Sequence, residues 1–259
     1  MIYTTAIKKA VKFSIKTHEV YQKQKRKGKD IPYITHPLTV GLILMGAGAS
    51  EDVVVAGILH DTIEDSIPEK KVTAEMIGER FGDTVADLVM SVTEQDKNLS
   101  WEERKAIALD HIKSYSQDSL LIKSADIISN ASELLDDYEK DKDAVFERFN
   151  ASKEKILKHQ IEAIGAILEK WPESPLAEDL SSLAKSLWII GAPDFMASHP
   201  ATVIEYADYD EDMALECPIC HWKGTPKESG WIEHYSDLLD VSCPNCEKIL
   251  LVVNYPLAQ

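Results

Sequence analysis

Cysteine is absent before position 217 of this 259-residue chain, so no disulfide framework can brace the larger part of it. Positive charge is scarce too, since 28 Lys and Arg face 44 Asp and Glu and leave a formal net charge of −16. Nucleic acid and anionic membranes require cationic surfaces, so both are disfavoured as partners. With only 11 Gly and 11 Pro and 44% apolar residues, the chain is neither collagen-like nor disordered.

Long hydrophobic runs are also missing. The most apolar stretches, 40–49 and 53–59, fall short of the ~20 residues that a membrane-spanning helix needs. Lysines interrupt the first twenty residues, which therefore lack the apolar core of a secretory signal. The sequence predicts a soluble, cytoplasmic protein.

Helical patterns occupy residues 3 to about 190. Residues 3–22 carry apolar side chains at intervals of three and four, which is typical of one amphipathic helix. Thr73 and Ser100 are predicted N-caps, and Ser100-Trp-Glu-Glu103 has the spacing of a capping box.

The helical part is predicted to end near residue 192. A single long helix is predicted over about 142–171, and a last helix over 175–190 that stops before Gly191-Ala-Pro193. Alternating strand patterns do not occur before about residue 201. We therefore expect an all-α domain over residues 1–192.

Short β-branched segments separated by turns follow residue 193. Strands are predicted at 203–206, 213–216, 238–242 and 248–253. All four cysteines lie here, in two C-x-x-C pairs: Cys217, Cys220, Cys243 and Cys246. This spacing predicts a closed four-thiolate site for structural Zn²⁺, that is, a zinc-ribbon domain over residues 201–259.

The predicted ribbon is itself acidic. It has three lysines against eleven Asp and Glu residues, which disfavours nucleic acid as its ligand. We expect a protein partner for this surface instead. A redox dithiol pair is the alternative interpretation of the cysteines, but no thioredoxin-like βαβ pattern surrounds them.

The densest group of ionisable residues follows the apolar run 53–59. It reads His60-Asp61-Thr-Ile-Glu64-Asp65, and a run that buries itself should not end in such groups unless something compensates their charge. A bound cation is the simplest compensation. Asp126 and Asn130 form a further polar pair at i,i+4 spacing, and His36 is another potential ligand.

Three ordered motifs, PYITHP, HDTIED and AD-x-x-x-N, resemble those of the HD-domain phosphohydrolases. They are most similar to the guanosine 3′-pyrophosphohydrolase domain of the RelA/SpoT type, and the resemblance covers roughly residues 1–170. It implies an all-α HD-domain helical bundle that binds a divalent ion, usually Mn²⁺, and a guanine nucleotide of the stringent response. The metal ligands that it implies are His36, His60, Asp61 and Asp126.

The resemblance also implies roles for the remaining motif residues. Glu64 and Asp65 would position or deprotonate the attacking water, and Arg26 would stack on guanine. Lys27 and Asn130 would contact the nucleotide. The residue types agree with these roles. Imidazole and carboxylate ligands suit Mn²⁺, Fe²⁺ or Zn²⁺, and the planar guanidinium of Arg26 can lie on a purine face, which Lys25 and Lys27 cannot do.

Two positions depart from the family pattern. Ile127 stands where the family usually has a basic residue, and Ser129 where many members have His or Tyr. His18 matches a histidine of the family's first helix, and we predict a structural role for it.

Three functions remain open at this point. The leading hypothesis is hydrolysis of the 3′-pyrophosphate of guanosine tetra- or pentaphosphate. One alternative keeps the site but changes the substrate to another nucleotide or phosphate ester. The other is a non-catalytic nucleotide sensor or scaffold.

Overall fold

The computed structural model describes residues 3–94, 99–198 and 201–256. A helical part precedes a small β part. The helices are α1 (Thr5–Ile15), α2 (Thr35–Gly46), α3 (Glu51–Leu59), α4 (Thr62–Asp65), α5 (Ala74–Phe81), α6 (Asp83–Val92), α7 (Trp101–Ile112), α8 (Gln117–Asp141), α9 (Lys153–Lys170), α10 (Ala177–Ser198) and α11 (Pro226–Ser229). The strands are β1 (Thr202–Glu205), β2 (Leu215–Glu216), β3 (Lys223–Gly224), β4 (Ile232–His234), β5 (Leu238–Ser242) and β6 (Ile249–Asn254).

Helix α3 is the centre of the helical core. All its residues from Val53 to Leu59 are buried, and it packs against α1, α2, α6 and α8. Glycine permits the close approach of α2, because a Cβ at Gly57 would lie 2.2 Å from the side chain of Leu44. This packing brings the start of α2 beside the end of α3. Among the described residues, none of the helices has the length and apolar content needed to cross a bilayer.

The predicted caps are confirmed. The Thr73 side chain accepts a hydrogen bond from the Met76 amide at the start of α5. Ser100 and Glu103 form the reciprocal capping box that begins α7.

The first helix differs from the prediction of one α-helix over 3–22. Helix α1 ends at Ile15, and Lys16–Tyr21 form a π-helix. The wider π turn buries both Thr17 and His18, whereas Ile15 is 37% exposed. An apolar stripe continues from the α-helix into the π-helix. A search for α-helical spacing therefore does not detect where the α-helix ends.

The single helix predicted over 142–171 is wrong. Lys142 has a φ of 50°, which ends α8, and Lys142–Arg148 form a 3₁₀ segment that buries Val145 and Phe146. Helix α9 begins only at Lys153. The predicted end of the last helix at 190 is wrong as well, because α10 continues through Pro193 to Ser198.

Two sheets make up the β part. The larger has the strand order β1-β6-β5-β4, with β1 parallel to β6 and the other pairs antiparallel. Its core is small: Leu239, Val241, Leu251 and Val253. The strand predictions at 203–206, 213–216, 238–242 and 248–253 overlap β1, β2, β5 and β6, whereas β3 and β4 were not predicted.

Packing divides the chain into two compact units. The first comprises Met1–Ser152 and Ala163–Leu183, and the second Lys153–Glu162 and Ala184–Gln259. The second unit therefore includes helical segments from α9 and α10 besides the β part. The predicted domain boundary between residues 192 and 201 rests on a change from helix to strand. In the structure α10 ends at Ser198 and β1 begins at Thr202.

Candidate functional site

Four predicted ligands come from three elements of the first unit. His36 lies in the first turn of α2, His60 and Asp61 directly follow α3, and Asp126 lies on α8. Both imidazoles are buried, with 2% of His36 and 6% of His60 exposed. The burial of α3 and its contacts with α2 and α8 bring these separate positions together.

The ligand atoms converge. His36 Nε2 lies 3.3 Å from His60 Nε2, 3.3 Å from Asp126 Oδ1 and 3.5 Å from Asp61 Oδ2. His60 Nε2 lies 3.0 Å from Asp61 Oδ2 and 3.9 Å from Asp126 Oδ1. An octahedral ion with bonds of about 2.1 Å places neighbouring ligand atoms about 3 Å apart. The donor set and spacing therefore fit a divalent cation.

The second ring nitrogens fix the imidazole orientations. His60 Nδ1 donates to the Gly57 carbonyl at 2.7 Å, which directs its Nε2 into the cluster. His36 Nδ1 lies 2.9 Å from the Ser129 hydroxyl. Two facing Nε2 atoms need a positive species between them. Burial lowers the pKa of His60, but the charges of Asp61 and Asp126 outweigh it and raise that pKa to about 9. The cluster thus attracts positive charge.

Asp126 is held from two sides. Its Oδ1 accepts from Asn130 Nδ2 at 2.6 Å, and its Oδ2 accepts from Lys123 Nζ at 2.8 Å. Burial raises the pKa of Asp126, but the charge of Lys123, together with His36 and His60, outweighs it and holds that pKa well below the usual range. The sequence analysis missed Lys123, although its i,i+3 spacing from Asp126 on a helix is a usable signal.

Tyr33 connects the cluster to the preceding loop. Its hydroxyl donates to Asp61 Oδ2 at 2.5 Å, and its ring centroid lies 5.5 Å from Arg26 Cζ. Burial, followed by the charge of Asp61, raises the pKa of Tyr33, so this phenol remains a donor. Tyr33 was also missed, although it belongs to the PYITHP motif.

Glu64 and Asp65 lie on the single turn α4, next to the cluster, and both are half-buried. Asp65 Oδ2 accepts from Gln24 Nε2 at 2.9 Å, and Gln24 Oε1 lies 3.0 Å from His18 Nδ1. His18 is fully buried and orients Gln24, which in turn orients Asp65. The structural role predicted for His18 corresponds to this chain of hydrogen bonds, in which His18 holds Gln24 against the Asp65 carboxylate.

The basic loop, residues 22–32 between the π-helix and α2, lies against α8. Arg26 Nη2 donates to Asn130 Oδ1 at 2.8 Å, and Lys27 Nζ lies 5.2 Å from the ring centroid of Phe149. Gly28 has a φ of +73°, and a Cβ there would lie 2.9 Å from the Arg148 side chain. Arg26 and Asn130 are thus in direct contact, while Lys27 is exposed.

The cysteines form a second cluster, in the second unit. The Sγ atoms of Cys217 and Cys246 are 3.5 Å apart, and those of Cys220 and Cys243 are 3.4 Å apart. All four sulfurs lie within 4.8 Å of one another, and all are free thiols. A tetrahedral Zn²⁺ with Zn–S bonds of ~2.3 Å requires sulfur separations of about 3.8 Å. The cluster therefore fits zinc.

The two C-x-x-C loops have the same backbone geometry. The residues after the second cysteines, His221 and Glu247, have φ values of 58° and 60°. Each donates its amide to the carbonyl of the first cysteine in its pair, at 3.0 and 2.9 Å. Hydrogen bonds with the other three cysteines lower the pKa of Cys217, whereas hydrogen bonds with Cys217, Cys220 and Cys243 raise the pKa of Cys246. Four thiolates together need a cation.

A buried cluster of imidazoles and carboxylates in a helical bundle defines a metal-dependent hydrolase, and relatives of known class agree. A family model described as HD domain matches residues 10–156. Guanosine-3′,5′-bis(diphosphate) 3′-pyrophosphohydrolase MESH1 of Xenopus tropicalis is 37% identical over 130 residues, which cover 49% of this chain and 69% of that protein. A guanosine-3′,5′-bis(diphosphate) 3′-pyrophosphohydrolase of Aquifex aeolicus is 43% identical over 91 residues, which cover 35% of this chain and 12% of that protein.

Solved structures show the same fold. A metazoan ortholog of SpoT, described as hydrolysing ppGpp, superposes with a TM-score of 0.55 at 21% identity, covering 74% of this chain and 96% of that one. The protein lmo0812 of Listeria monocytogenes gives 0.52 at 34% identity, covering 60% of this chain and 98% of that one.

The chain belongs to the HD-domain family, within which it is a metal-dependent phosphohydrolase. Membership implies a divalent metal ion, and ligand atoms of His36, His60 and Asp126 lie within 4.8 Å of one another. The predicted fold class, a helical HD domain followed by a small β region with a cysteine cluster, is confirmed.

Proposed function

We propose that this protein hydrolyses the 3′-pyrophosphate of guanosine tetra- or pentaphosphate, releasing pyrophosphate and GDP or GTP. The observation that carries the proposal is the convergence of His36, His60, Asp61 and Asp126 beside a basic loop bonded to the same helix. The relatives from Xenopus tropicalis and Aquifex aeolicus bear the name of this activity.

The four converging side chains would hold the metal, and Mn²⁺ is the ion that we propose. Mixed imidazole and carboxylate ligation supports Mn²⁺, Fe²⁺ or Zn²⁺, and among these ions the HD resemblance favours manganese. When bound, the ion would lower the pKa of a water and offset negative charge on the leaving pyrophosphate.

Glu64 and Asp65 are the proposed acid–base residues. They occupy the turn that follows two of the ligands, and Gln24 holds the Asp65 carboxylate at 2.9 Å. A carboxylate so placed can orient the attacking water and take its proton, which typically contributes a factor of ~10²–10⁴. Asp65 would act mainly in orientation, because its hydrogen bond to Gln24 restricts its rotation.

Arg26, Lys27 and Asn130 are the proposed nucleotide-binding residues. Arg26 is held at its Nη2 by Asn130 and lies over Tyr33, so its guanidinium plane is defined before a ligand arrives. A purine can stack on such a plane. Lys27 is exposed and can reach a phosphate without disturbing the loop.

The two departures from the family pattern affect different things. Ile127 is 4% exposed, so its side chain belongs to the buried interior and adds no charge to the site. Ser129 contacts His36 Nδ1 and takes part in ligand orientation. Neither departure removes a residue that the proposed reaction needs.

A substrate panel with Mn²⁺ tests the proposed function. Purified full-length protein is incubated with guanosine tetraphosphate and with other nucleotides and phosphate esters, and the phosphorus products are identified. Pyrophosphate released from the tetraphosphate is the expected result. Orthophosphate from another compound would instead establish the alternative substrate, and nucleotide binding without turnover would establish the sensor.

For the cysteine cluster we propose structural Zn²⁺ in a ribbon domain over residues 201–259, following a helical domain over 1–192. The paired loops and the sulfur spacing support zinc. Free cysteines are maintained in a reducing compartment, which supports the cytoplasm. The excess of acidic residues supports a protein partner for the ribbon and argues against nucleic acid.

A further inference from the structure

Glu133 is a carboxylate that the proposed reaction does not use, yet both of its oxygens bind side chains of the basic loop. It lies three residues beyond Asn130 on α8, so the two side chains share one face of the helix. Glu133 Oε2 accepts from Arg26 Nε at 2.8 Å and pairs with Arg26 Nη2 at 2.7 Å. The side-chain Oδ1 of Asn130 accepts a third hydrogen bond from the same edge of the guanidinium.

We propose that Glu133 is a positioning residue that holds the Arg26 guanidinium as one wall of the nucleobase site. The inference rests on the proposed function, because it concerns the nucleotide-binding face of the same site.

Both oxygens of the Glu133 carboxylate are engaged by the loop. While Oε2 holds Arg26, Oε1 accepts from Lys29 Nζ at 2.6 Å. The Lys29 amide donates to the Arg26 carbonyl at 3.0 Å, so one carboxylate closes both ends of a tight turn. With its lone pairs committed to two cations, Glu133 influences a nucleotide through Arg26 and does not contact it.

The held guanidinium is connected to the metal ligands by two side-chain paths. Asn130 bonds both Arg26 and Asp126, at 2.8 and 2.6 Å. Tyr33 lies under the Arg26 plane and donates to Asp61 at 2.5 Å. The separation between the stacking plane and the ligand cluster is therefore set within the protein, and Glu133 is the charged anchor at the outer end.

Burial makes this anchor effective. The Arg26 and Glu133 side chains are 11% and 27% exposed, so solvent screens their attraction less than it would at the surface. Burial raises the pKa of Glu133, but hydrogen bonds from Arg26 and Lys29 outweigh it, and the net shift is downward. Without the carboxylate, the Arg26 guanidinium would keep one hydrogen-bond acceptor among the described residues, the neutral Asn130, and would regain rotamer freedom.

The test compares Glu133→Gln with Asp30→Asn. Asp30 pairs with Lys25 in the same loop but is exposed, so both variants remove one negative charge beside the loop and only one touches Arg26. Turnover of guanosine tetraphosphate with Mn²⁺ and binding of GDP by calorimetry are measured on the full chain. We expect Glu133→Gln to raise both KM and the GDP Kd by about 10-fold, with kcat within about 2-fold because the acid–base residues are untouched. Asp30→Asn should match wild type in all three quantities.

The outcomes separate this inference from the proposed function. A Glu133→Gln protein with the wild-type GDP Kd, or one that loses kcat while KM is unchanged, overturns the positioning role. A wild type that binds GDP but does not cleave the tetraphosphate overturns only the proposed function, and weaker binding by Glu133→Gln would still support the inference. A wild type that neither binds nor cleaves overturns both.

Discussion

The two ligand clusters of this protein differ in how much of their surroundings would persist without a metal. The His/Asp cluster lies among helices with an extensive core centred on α3, and its side chains are held by Gly57, Ser129, Lys123 and Tyr33. The cysteine cluster belongs to a β part whose sheet, among the described residues, buries the four side chains of Leu239, Val241, Leu251 and Val253 and packs further partly buried residues against them. So small a core supplies little stability. We therefore expect the first metal to serve chemistry and the second to serve folding.

The largest expected effect on hydrolysis comes from removing a ligand of the first cluster. His36→Ala should lower kcat/KM by at least the ~10²–10⁴-fold that a general base contributes, because water activation requires the ion. Its thermal unfolding should remain cooperative, since the helical core does not depend on the ligand. Steady-state kinetics and calorimetry measure both. His111→Ala, an exposed histidine on α7, is the control, and unfolding of the helical unit in His36→Ala would break the contrast.

Removing the proposed base should separate metal binding from chemistry. Glu64→Ala should bind Mn²⁺ as wild type does and lose ~10²–10⁴-fold in kcat. Metal content by atomic spectroscopy and single-turnover rates provide the measurement. The matched control is Glu69→Ala, an exposed glutamate in the next turn. An unchanged rate in Glu64→Ala would remove this residue from the mechanism.

A smaller effect is expected at the hydroxyl that orients His36. Ser129→Ala should weaken Mn²⁺ binding by about 10–100-fold, as loss of an outer-shell partner typically does, and excess Mn²⁺ should restore the rate. Manganese titration of activity measures it. Ser124→Ala serves as the control, because Ser124 is a buried serine on the same helix that bonds only the Leu120 carbonyl in the described contacts. Equal Mn²⁺ affinity in the two variants would contradict the orienting role of Ser129.

The smallest effect on hydrolysis, and the largest on folding, is expected at the cysteine cluster. A strong chelator should release one zinc per chain and unfold the ribbon, while the helical unit keeps its own cooperative transition. After Mn²⁺ is restored, the rate should stay within about 2-fold of the untreated protein, because no ribbon residue has a proposed catalytic role. Calorimetry and a zinc-binding dye report the outcome. A single thermal transition that chelation leaves unchanged would contradict the division of tasks.

The residues of the candidate site were easier to predict from the sequence than the residues that hold them in position. The HDTIED motif follows a run so apolar that its ionisable groups needed explanation. The resemblance to HD-domain phosphohydrolases then implied that His36 and Asp126 are ligands as well. Gln24 and Glu133 were not found, because their partners are 41 and 107 residues away along the chain. Ser129 and Lys123 stand at i+3 and i−3 from Asp126, and helical spacing could have identified both.

The errors in the fold have local causes. A π turn preserves the apolar stripe, so Lys16–Tyr21 read as α-helix. Lys142 adopts a positive φ that a lysine rarely takes. The segment has no Gly or Pro that would have indicated the end of the helix. Pro193 read as a terminator, although α10 continues past it. Buried side chains accompany two of these departures, His18 in the π turn and Phe146 after Lys142.

Gly28 limits how far the basic loop can change over generations. Any side chain there would meet Arg148 and would also occupy a backbone conformation that L-amino acids avoid. Substitution of the exposed Lys25, which pairs only with exposed Asp30 among the described contacts, would leave the Arg26 anchors in place, whereas substitution of Gly28 would displace Arg26 from them. A substitution at Gly28, which has no side chain, would therefore impair nucleobase recognition as much as a substitution at a residue that would touch the ligand.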